Sequence, residues 1–401
     1  MSGDVERLLV AFEAGDLVRP SADAPNLVDL ARGIAALAGV PGVPSTEVSR
    51  ALAAEVGESE HIVLVLIDGL GAAHLEREDG ADFLRSHLRQ TLQTPFPSTT
   101  AVALTSFATG EWPARHAVTG WWTYLPSIEA SATMLPYLRR SDDVPLAELG
   151  VEAETAFPLP ALWGACPRDV RCIQPKRIAG TVYSQYQTGG HPSVGYGPPR
   201  EAFEAVSDHI QQAGRPTYTY LYFSHFDAAA HEYGADSTEA HAALLGIDAG
   251  LGRLANHLAG RARIVVISDH GHAAVPEEQR FRLRSTDPIA SHFRTMPSGD
   301  MRVPSFHLLP GHAEAFVDEF RARYGARFVL LTPAEVESLE LLGPGALSPE
   351  TRRRLGDFVA ISLGIEVLGY VPPDGNRRAL QQPSHHSGLT AAEMYVPLVI
   401  A

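Results

Sequence analysis

Cysteine is nearly missing from this 401-residue chain: Cys166 and Cys172 are the only two. Two thiols six positions apart exclude a disulfide framework and a thiolate metal centre, and they point to a reducing, cytoplasmic setting. No stretch approaches ~18 uncharged apolar residues. The opening MSGDVERLLVAFEAGDL has no basic segment followed by an apolar one, so neither a membrane span nor a leader peptide is expected. Lys176 is the only lysine, which leaves nearly all positive charge to arginine and carries no mechanism by itself. Basic charge is also short: 32 basic against 47 acidic residues give −15. That balance excludes an electrostatic grip on long nucleic acid or anionic lipid, because both need clustered positive charge. A small-molecule substrate in a cleft remains open, and the oligomeric state is not legible.

What is present is ordinary globular material, with 45% apolar and 20% charged residues, 35 Gly and 30 Pro. Disorder, collagen and coiled coil are excluded by it. Residues 26 to 38 carry Leu27, Leu30, Ile34 and Leu37 at helical spacing. Three apolar segments follow, each closed by an aspartate: Ile62 to Ile67 before Asp68, Tyr218 to Phe226 before Asp227, and Arg263 to Ser268 before Asp269. Continuous apolar runs of this kind read as strands buried on both faces of a mostly parallel sheet. Between them Ala240, Leu244, Ile247, Leu251 and Leu254 mark the buried face of a helix. Alternating strand and helix predict an α/β fold with a doubly wound, mostly parallel sheet, whose ligand crevice lies at the carboxyl ends of the strands.

Length alone allows two or three domains of ~150 residues. The order of the elements points instead to one core with insertions. Residues 1–54 form an N-terminal helical segment packing on the core. The core takes 55–272 and 383–401, interrupted by an insertion of about 121–215. Residues 273–382 make an inserted α+β cap: a helix with Ala313, Phe316, Val317 and Phe320, the strand FVLLT, a helix opened by a capping box at Thr332 and Glu335 with Pro333 at its first position, a third helix from Ser348-Pro349, and a strand in DFVAISL.

Five pieces collect at the predicted crevice: Asp68; the FPSTT loop leading into AVALTSFATG; Asp227 with His231 four residues on; Asp269-His270; and His385-His386-Ser387-Gly388. One aspartate at a strand end is commonly a cap or turn former. Three of them with two or three histidines make mixed carboxylate and imidazole ligands, which suit zinc, with manganese as the other choice. Six or seven ligands exceed one tetrahedral site and imply two divalent ions, the recurrent device for displacement at phosphorus. Ser98, Thr99 and Thr100 open a helix, where one hydroxyl can cap and another can attack, with the helix N-terminus ready for a phosphate oxygen.

In VLVLIDGLG, FPSTT, HFDAAAHEYG, SDHG and HHSGLTAAEMYVPLVI, taken in that order, the chain resembles the alkaline phosphatase superfamily, in its type I phosphodiesterase/nucleotide pyrophosphatase branch. The resemblance implies that Asp68, Thr100, Asp269 and His270 bind one zinc, with Thr100 as nucleophile, and that Asp227, His231 and His386 bind the other. His386 is taken over His385 because His386-Ser387-Gly388-Leu389 fits the family's closing frame. It further implies hydrolysis of a phosphodiester or nucleotide pyrophosphate through a phospho-threonine, with retention at phosphorus. Ala103 stands where the family carries a phosphate-contacting Asn, a departure that bears on substrate identity. His225 and His272 are read as core or supporting histidines.

Alternatives on the same scaffold are a phosphomonoesterase, a phosphonate- or sulfate-ester hydrolase and a phosphomutase. From another class comes a catalytically silent, metal-bound interaction module. A sulfatase needs a Cys or Ser in a C/S-x-P-x-R setting at the nucleophile, which Thr100 does not provide. Trp121, Trp122, Tyr183 and Tyr186 are read either as stacking residues for a base or as core.

Overall fold

The strand of Asp68, His61–Ile67, forms because β-branched and leucine side chains can bury on both faces at once, and it does so at the centre of a seven-stranded sheet. In this computed structural model, which describes residues 2–373 and 379–401, that strand pairs in parallel with Thr217–Phe223 on one side and Ala262–Ile267 on the other. Ile62, Leu64 and Leu66 face a layer holding Leu30, Ile34, Val102 and Phe107. Val63, Val65 and Ile67 face the layer of Leu244, Ile247 and Leu251. Each such side chain contributes about 1.5–3 kcal/mol on burial, so the two covering layers fix the sheet between them. The register sets Ile67 opposite Phe223 and Leu66 opposite Ile267, which brings the chain after all three strands out at one edge.

Beyond Ala262–Ile267 the last strand, Tyr395–Ile400, runs antiparallel and is flanked in turn by Leu88–Gln93. On the other side Thr217–Phe223 pairs in parallel with Asp169–Pro175, and that with Ser193–Tyr196. These two strands, and the helix Pro199–Gln211 between them and Thr217, belong to the core sheet, although the sequence places them in an insertion of about 121–215. The reason is positional. Asp169–Pro175 carries Arg171 and ends in proline, and Ser193–Tyr196 is a short edge strand with a glycine, so neither shows the apolar run of a central strand.

The remainder of that segment joins the second insertion in one sheet, of order Phe328–Leu331, Phe358–Ser362, Pro304–Phe306, Ser298–Gly299, Trp122–Leu125, Ala130–Thr133 and Leu138–Arg139. Its seam is the bridge between Gly299 and Trp122. A Cβ on Gly120 would sit 2.5 Å from the Gly299 carbonyl oxygen, so the two backbones can meet only as glycines. The helices expected after His312, Thr332 and Ser348 lie at Ala313–Tyr324, Pro333–Ser338 and Pro349–Arg354, the second with its capping box formed. Of the expected cap span, residues 374–378 lie outside the described residues.

Helix Leu27–Ala38 packs on the core beside Val102 and Phe107. The first helix, Gly3–Ala14, places Val5 and Leu8 in a cluster with Leu389 and Met394 of the core, with Val329 and Leu331 of the insertion sheet and with Val336 of helix Pro333–Ser338, and Asp4 accepts from Arg321 at 2.9 Å. Helical periodicity announces an apolar face without naming its partner, so the added contact with the insertion carries no sign in the sequence. No helix among the described residues is long and apolar enough to cross a membrane.

Candidate functional site

Asp68 leaves the central strand at the sheet edge, where Asp269 leaves its neighbour, and Asp227 lies in the first turn of helix His225–Tyr233. Gly69, at φ +80°, lets the loop after Asp68 come close: a Cβ there would be 2.8 Å from His272 Nε2 and 3.0 Å from the Asp227 Cβ. Three carboxylates thereby share one buried pocket. Burial, then the charges of Asp269 and Asp227, push Asp68 well above the usual carboxylate range. Burial acts to raise Asp227 too, but the neighbouring His231, His272 and His270 outweigh it and hold that carboxyl low. One oxygen of Asp68 and one of Asp269 are buried without a hydrogen-bond partner; the other Asp68 oxygen accepts from the Tyr222 hydroxyl, and the other Asp269 oxygen from the Gly69 and His270 amides at 3.0 and 3.1 Å.

The histidines are oriented by main chain. His270 Nδ1 lies 3.1 Å from the Gly271 carbonyl, His231 Nδ1 3.1 Å from the Ser384 carbonyl, and His386 Nδ1 3.1 Å from the Ser98 carbonyl. A carbonyl only accepts, so each Nδ1 carries a proton, and in the neutral ring each Nε2 presents a lone pair. Those lone pairs face the carboxylates: His270 Nε2 is 3.4 Å from Asp68 and 3.5 Å from Asp269, and His231 Nε2 is 3.4 Å from Asp227. Lone pair against carboxylate is repulsive unless a cation lies between, and a ring fixed by its other nitrogen is how a metal-ligating histidine is held. The residues therefore fit divalent cations. Two clusters can hold one each, Asp68 with Asp269 and His270, and Asp227 with His231 and His386; Asp227, His270 and His272 form a third, overlapping group. The rings of His270 and His386 stack at 3.8 Å between centroids, so the clusters adjoin.

Thr100 opens helix Thr100–Thr109, every residue of which is buried, and its hydroxyl donates to His270 Nε2 at 3.1 Å. Neither preceding hydroxyl caps the helix: the Ser98 hydroxyl donates to the Gly388 carbonyl at 2.7 Å, and Thr99 occupies the cap position without a side-chain cap bond. The Val102 and Ala103 amides bond to the Thr99 carbonyl at 3.1 and 3.0 Å, which leaves those of Thr100 and Ala101 to an anion. Ser98 also ties this loop to the last motif, since its carbonyl takes the Ser387 amide at 2.8 Å as well as His386. Ser387 is held at φ +94°, and its neighbour Gly388 is anchored through its amide on Glu393 at 2.8 Å. Glu393 in turn pairs with Arg302 of the insertion sheet at 2.6 Å, both fully buried.

All seven ligand candidates of the sequence, Asp68, Thr100, Asp227, His231, Asp269, His270 and His386, meet at this edge. His272 stands beside them, its Nε2 3.0 Å from Asp227 and its Nδ1 3.2 Å from the Ser384 hydroxyl. His385 lines the cleft at 6.3 Å from the His231 ring, and His225 lies against Tyr196 outside every cluster. Ala103 is buried in the core layer and offers nothing polar. Tyr183 and Tyr186 pack with Phe157, whereas Trp121 and Trp122 border the site. Three contributors had no legible signal: Tyr222, one of three alternating tyrosines on its strand; the Ser384 carbonyl; and Asp300. Asp300 accepts from the Trp121 and Met301 amides at 3.3 and 3.1 Å, and burial raises its pKa. With Thr100, Asp227, His231, His386, Trp121, Trp122 and Met301 it borders a cleft of about 230 Å³.

A family model described as type I phosphodiesterase/nucleotide pyrophosphatase matches residues 62–364. Among solved structures, murine ectonucleotide pyrophosphatase/phosphodiesterase 5 is similar over 84% of this chain and 87% of its own, with TM-score 0.62 and 14% identity. Phosphonoacetate hydrolase from Sinorhizobium meliloti 1021, in complex with phosphonoformate, is similar over 84% and 89%, with TM-score 0.61 and 18% identity. At such identities the likeness is one of fold. No curated protein sequence matches the chain.

Proposed function

The chain belongs to the type I phosphodiesterase/nucleotide pyrophosphatase family of phosphoester hydrolases, and on that footing we propose that it cleaves phosphodiesters or nucleotide pyrophosphates through Thr100 beside two divalent cations, zinc or manganese. Asp68, Thr100, Asp269 and His270 would hold one cation, and Asp227, His231 and His386 the other. When bound, the pair would supply Lewis acidity and neutralise the three carboxylates and the phosphate. The observation that carries this reading is the common orientation of His270, His231 and His386, each with Nδ1–H spent on a carbonyl, which turns Nε2 of His270 and His231 to carboxylates, groups His386 with Asp227 and His231, and sets His270 against Thr100.

Thr100 is placed for attack because it sits at the first helical position with its hydroxyl directed into the cleft on His270. Its Oγ1 gives up the hydroxyl proton to solvent and forms a bond to phosphorus while the bond to the leaving oxygen breaks, and that oxygen keeps the electron pair and takes a proton from water. The uncapped amides of the helix face the oxygens on which charge builds. Water then attacks the phospho-threonine from the opposite side and Thr100 is released, so two inversions give retention at phosphorus. Cys166 and Cys172 are buried elsewhere, the latter in strand Asp169–Pro175, and a threonine stands at the nucleophile position, so neither thiol offers a sulfatase precursor there.

Thr100→Ala is expected to cut hydrolysis of bis-p-nitrophenyl phosphate by about 10³-fold or more while bound metal, measured by elemental analysis, stays close to wild type. A chelator should abolish wild-type turnover and added zinc or manganese restore it. Near-normal activity of Thr100→Ala would remove the nucleophile from this reading, and activity indifferent to chelator would remove the cations. A panel of mono- and diesters and phosphonates then fixes the class of substrate.

A further inference from the structure

The cleft at Thr100 does not end there. Trp122, Met301, Ala379 and Gln382 border both it and a second cavity of about 330 Å³, whose far wall carries Thr133, Arg140, Met296 and Tyr370. The two insertions build this extension together: Trp122 and Arg140 come from the first, Met301 and Tyr370 from the second.

Arg140 is an unusual wall residue. Its guanidinium lies flat on the Trp122 ring, 3.6 Å from the centroid, and among the described residues its one hydrogen bond goes to the Pro297 carbonyl. No described carboxylate pairs with it within salt-bridge distance. Burial pushes its pKa down to about 9 against the opposing pull of Asp300 and Tyr370. Asp300 has its oxygens engaged by the Trp121 and Met301 amides. Asp143, which also borders the cavity, is exposed and screened by solvent. None of its remaining donors is among the buried atoms that lack a partner, so they open onto the solvent of the cavity, where an anion can take the place of water. Stacking on Trp122 fixes the plane of the fork, the arrangement that suits two oxygens of a carboxylate or phosphate.

We propose that Arg140 is the anion-binding end of the substrate cleft: the phosphate ester cleaved at Thr100 carries a second oxyanion group, a carboxylate or another phosphate, which docks on this guanidinium. The inference rests on the hydrolase reading for the other end of the cleft. It makes the substrate a small molecule with two anionic ends, spanning a cleft whose joint size is that of ordinary small-molecule sites. Tyr370 adds a hydroxyl beside the fork, and Trp122 sets the path between the ends.

Two measurements test it, one of them independent of catalysis. For p-nitrophenyl esters of ω-carboxyalkyl and ω-phosphonoalkyl phosphates over a short series of chain lengths, wild-type kcat/KM should exceed that for matched n-alkyl esters by about ten-fold or more at the best length. In Arg140→Gln the ratio should fall to about one, with Arg140→Lys between, provided the melting temperatures match wild type. Calorimetry on the metal-loaded protein should show 3-phosphonopropionate or propane-1,3-bisphosphonate binding more tightly than propylphosphonate, a difference lost in Arg140→Gln. The better of the two bifunctional ligands identifies the group. Equal binding of all three by wild type, or a preference that survives Arg140→Gln, overturns the proposal. A preference that depends on Arg140 in a protein that hydrolyses none of the esters would instead overturn the hydrolase reading and leave this one standing.

Discussion

His116 and His307 show how far burial alone can move a side chain here. His116 is fully buried, accepts the Val118 amide on Nδ1 at 3.1 Å and contacts the Ser106 hydroxyl through Nε2 at 2.8 Å. His307 stacks on Tyr124 and meets the Ser298 hydroxyl at 3.0 Å. Burial first, and then Arg354 for one and Arg294 for the other, pushes both down to about 3. A folded pKa below the unfolded one means the unfolded chain takes up the proton first as pH falls. Both contributions are intact above about pH 6.5 and are lost on the way down to about 3, at about 1.4 kcal/mol per pH unit for each. Denaturant melts between pH 7 and 5 should record that slope, and replacing either histidine by glutamine should flatten it by about one proton's worth. An unchanged slope would mean these rings are not neutral in the fold.

At the scale of elements, the loop carrying His386 is held from two sides, by Ser98 of the nucleophile loop and by Glu393, which Arg302 pairs from the insertion sheet. Removing one partner of a fully buried pair strands the other charge, so Arg302→Met is expected to cost about 3–5 kcal/mol. The double variant Arg302→Met/Glu393→Gln should recover part of it, as denaturant midpoints will show; no recovery would mean packing around Arg302 matters more than its charge. Elements also mark what could be read from residues alone. Asp68, Asp227 and Asp269 were legible because continuous apolar runs feed them, and those runs are the signature of central strands. Asp169–Pro175 and Ser193–Tyr196 were not, since strands toward an edge carry mixed residues. The seam at Gly120 and Gly299 joins positions far apart in the chain, and no local pattern announces such a pairing. The same holds for the site: ligand types stand in the sequence, whereas the Ser384 and Gly271 carbonyls that turn two of the rings are backbone and leave no mark in it.

For the whole molecule, the charge of −15 takes on another meaning once part of it is gathered in the fold. Three aspartates share one buried pocket, and two divalent cations would bring −15 to about −11 while making the cleft locally attractive to an anion. Cation binding would then be part of folding stability, by about 4 kcal/mol per site when free metal stands about a thousand-fold above its dissociation constant. Stripping the protein with chelator should lower its melting temperature. The stripped Asp68→Asn variant should melt above stripped wild type, because burial first and then the other two carboxylates oppose the charged form of Asp68. A stripped wild type that melts no lower than the loaded protein would contradict both expectations.

The closing strand has a bearing on how the molecule comes into being. Tyr395–Ile400 is wedged between Leu88–Gln93 and Ala262–Ile267, and the loop just before it brings in His386. A ribosome delivers the chain at about 5–20 residues per second, N-terminal end first. Until residues 395–400 have been made the slot beside Ala262–Ile267 stays open, with two strand edges unpaired and three aspartates delivered before the imidazole of His386. The candidate site is complete only once His386 and the strand behind it are in place, so that any cation taken up by the full ligand set would follow their arrival.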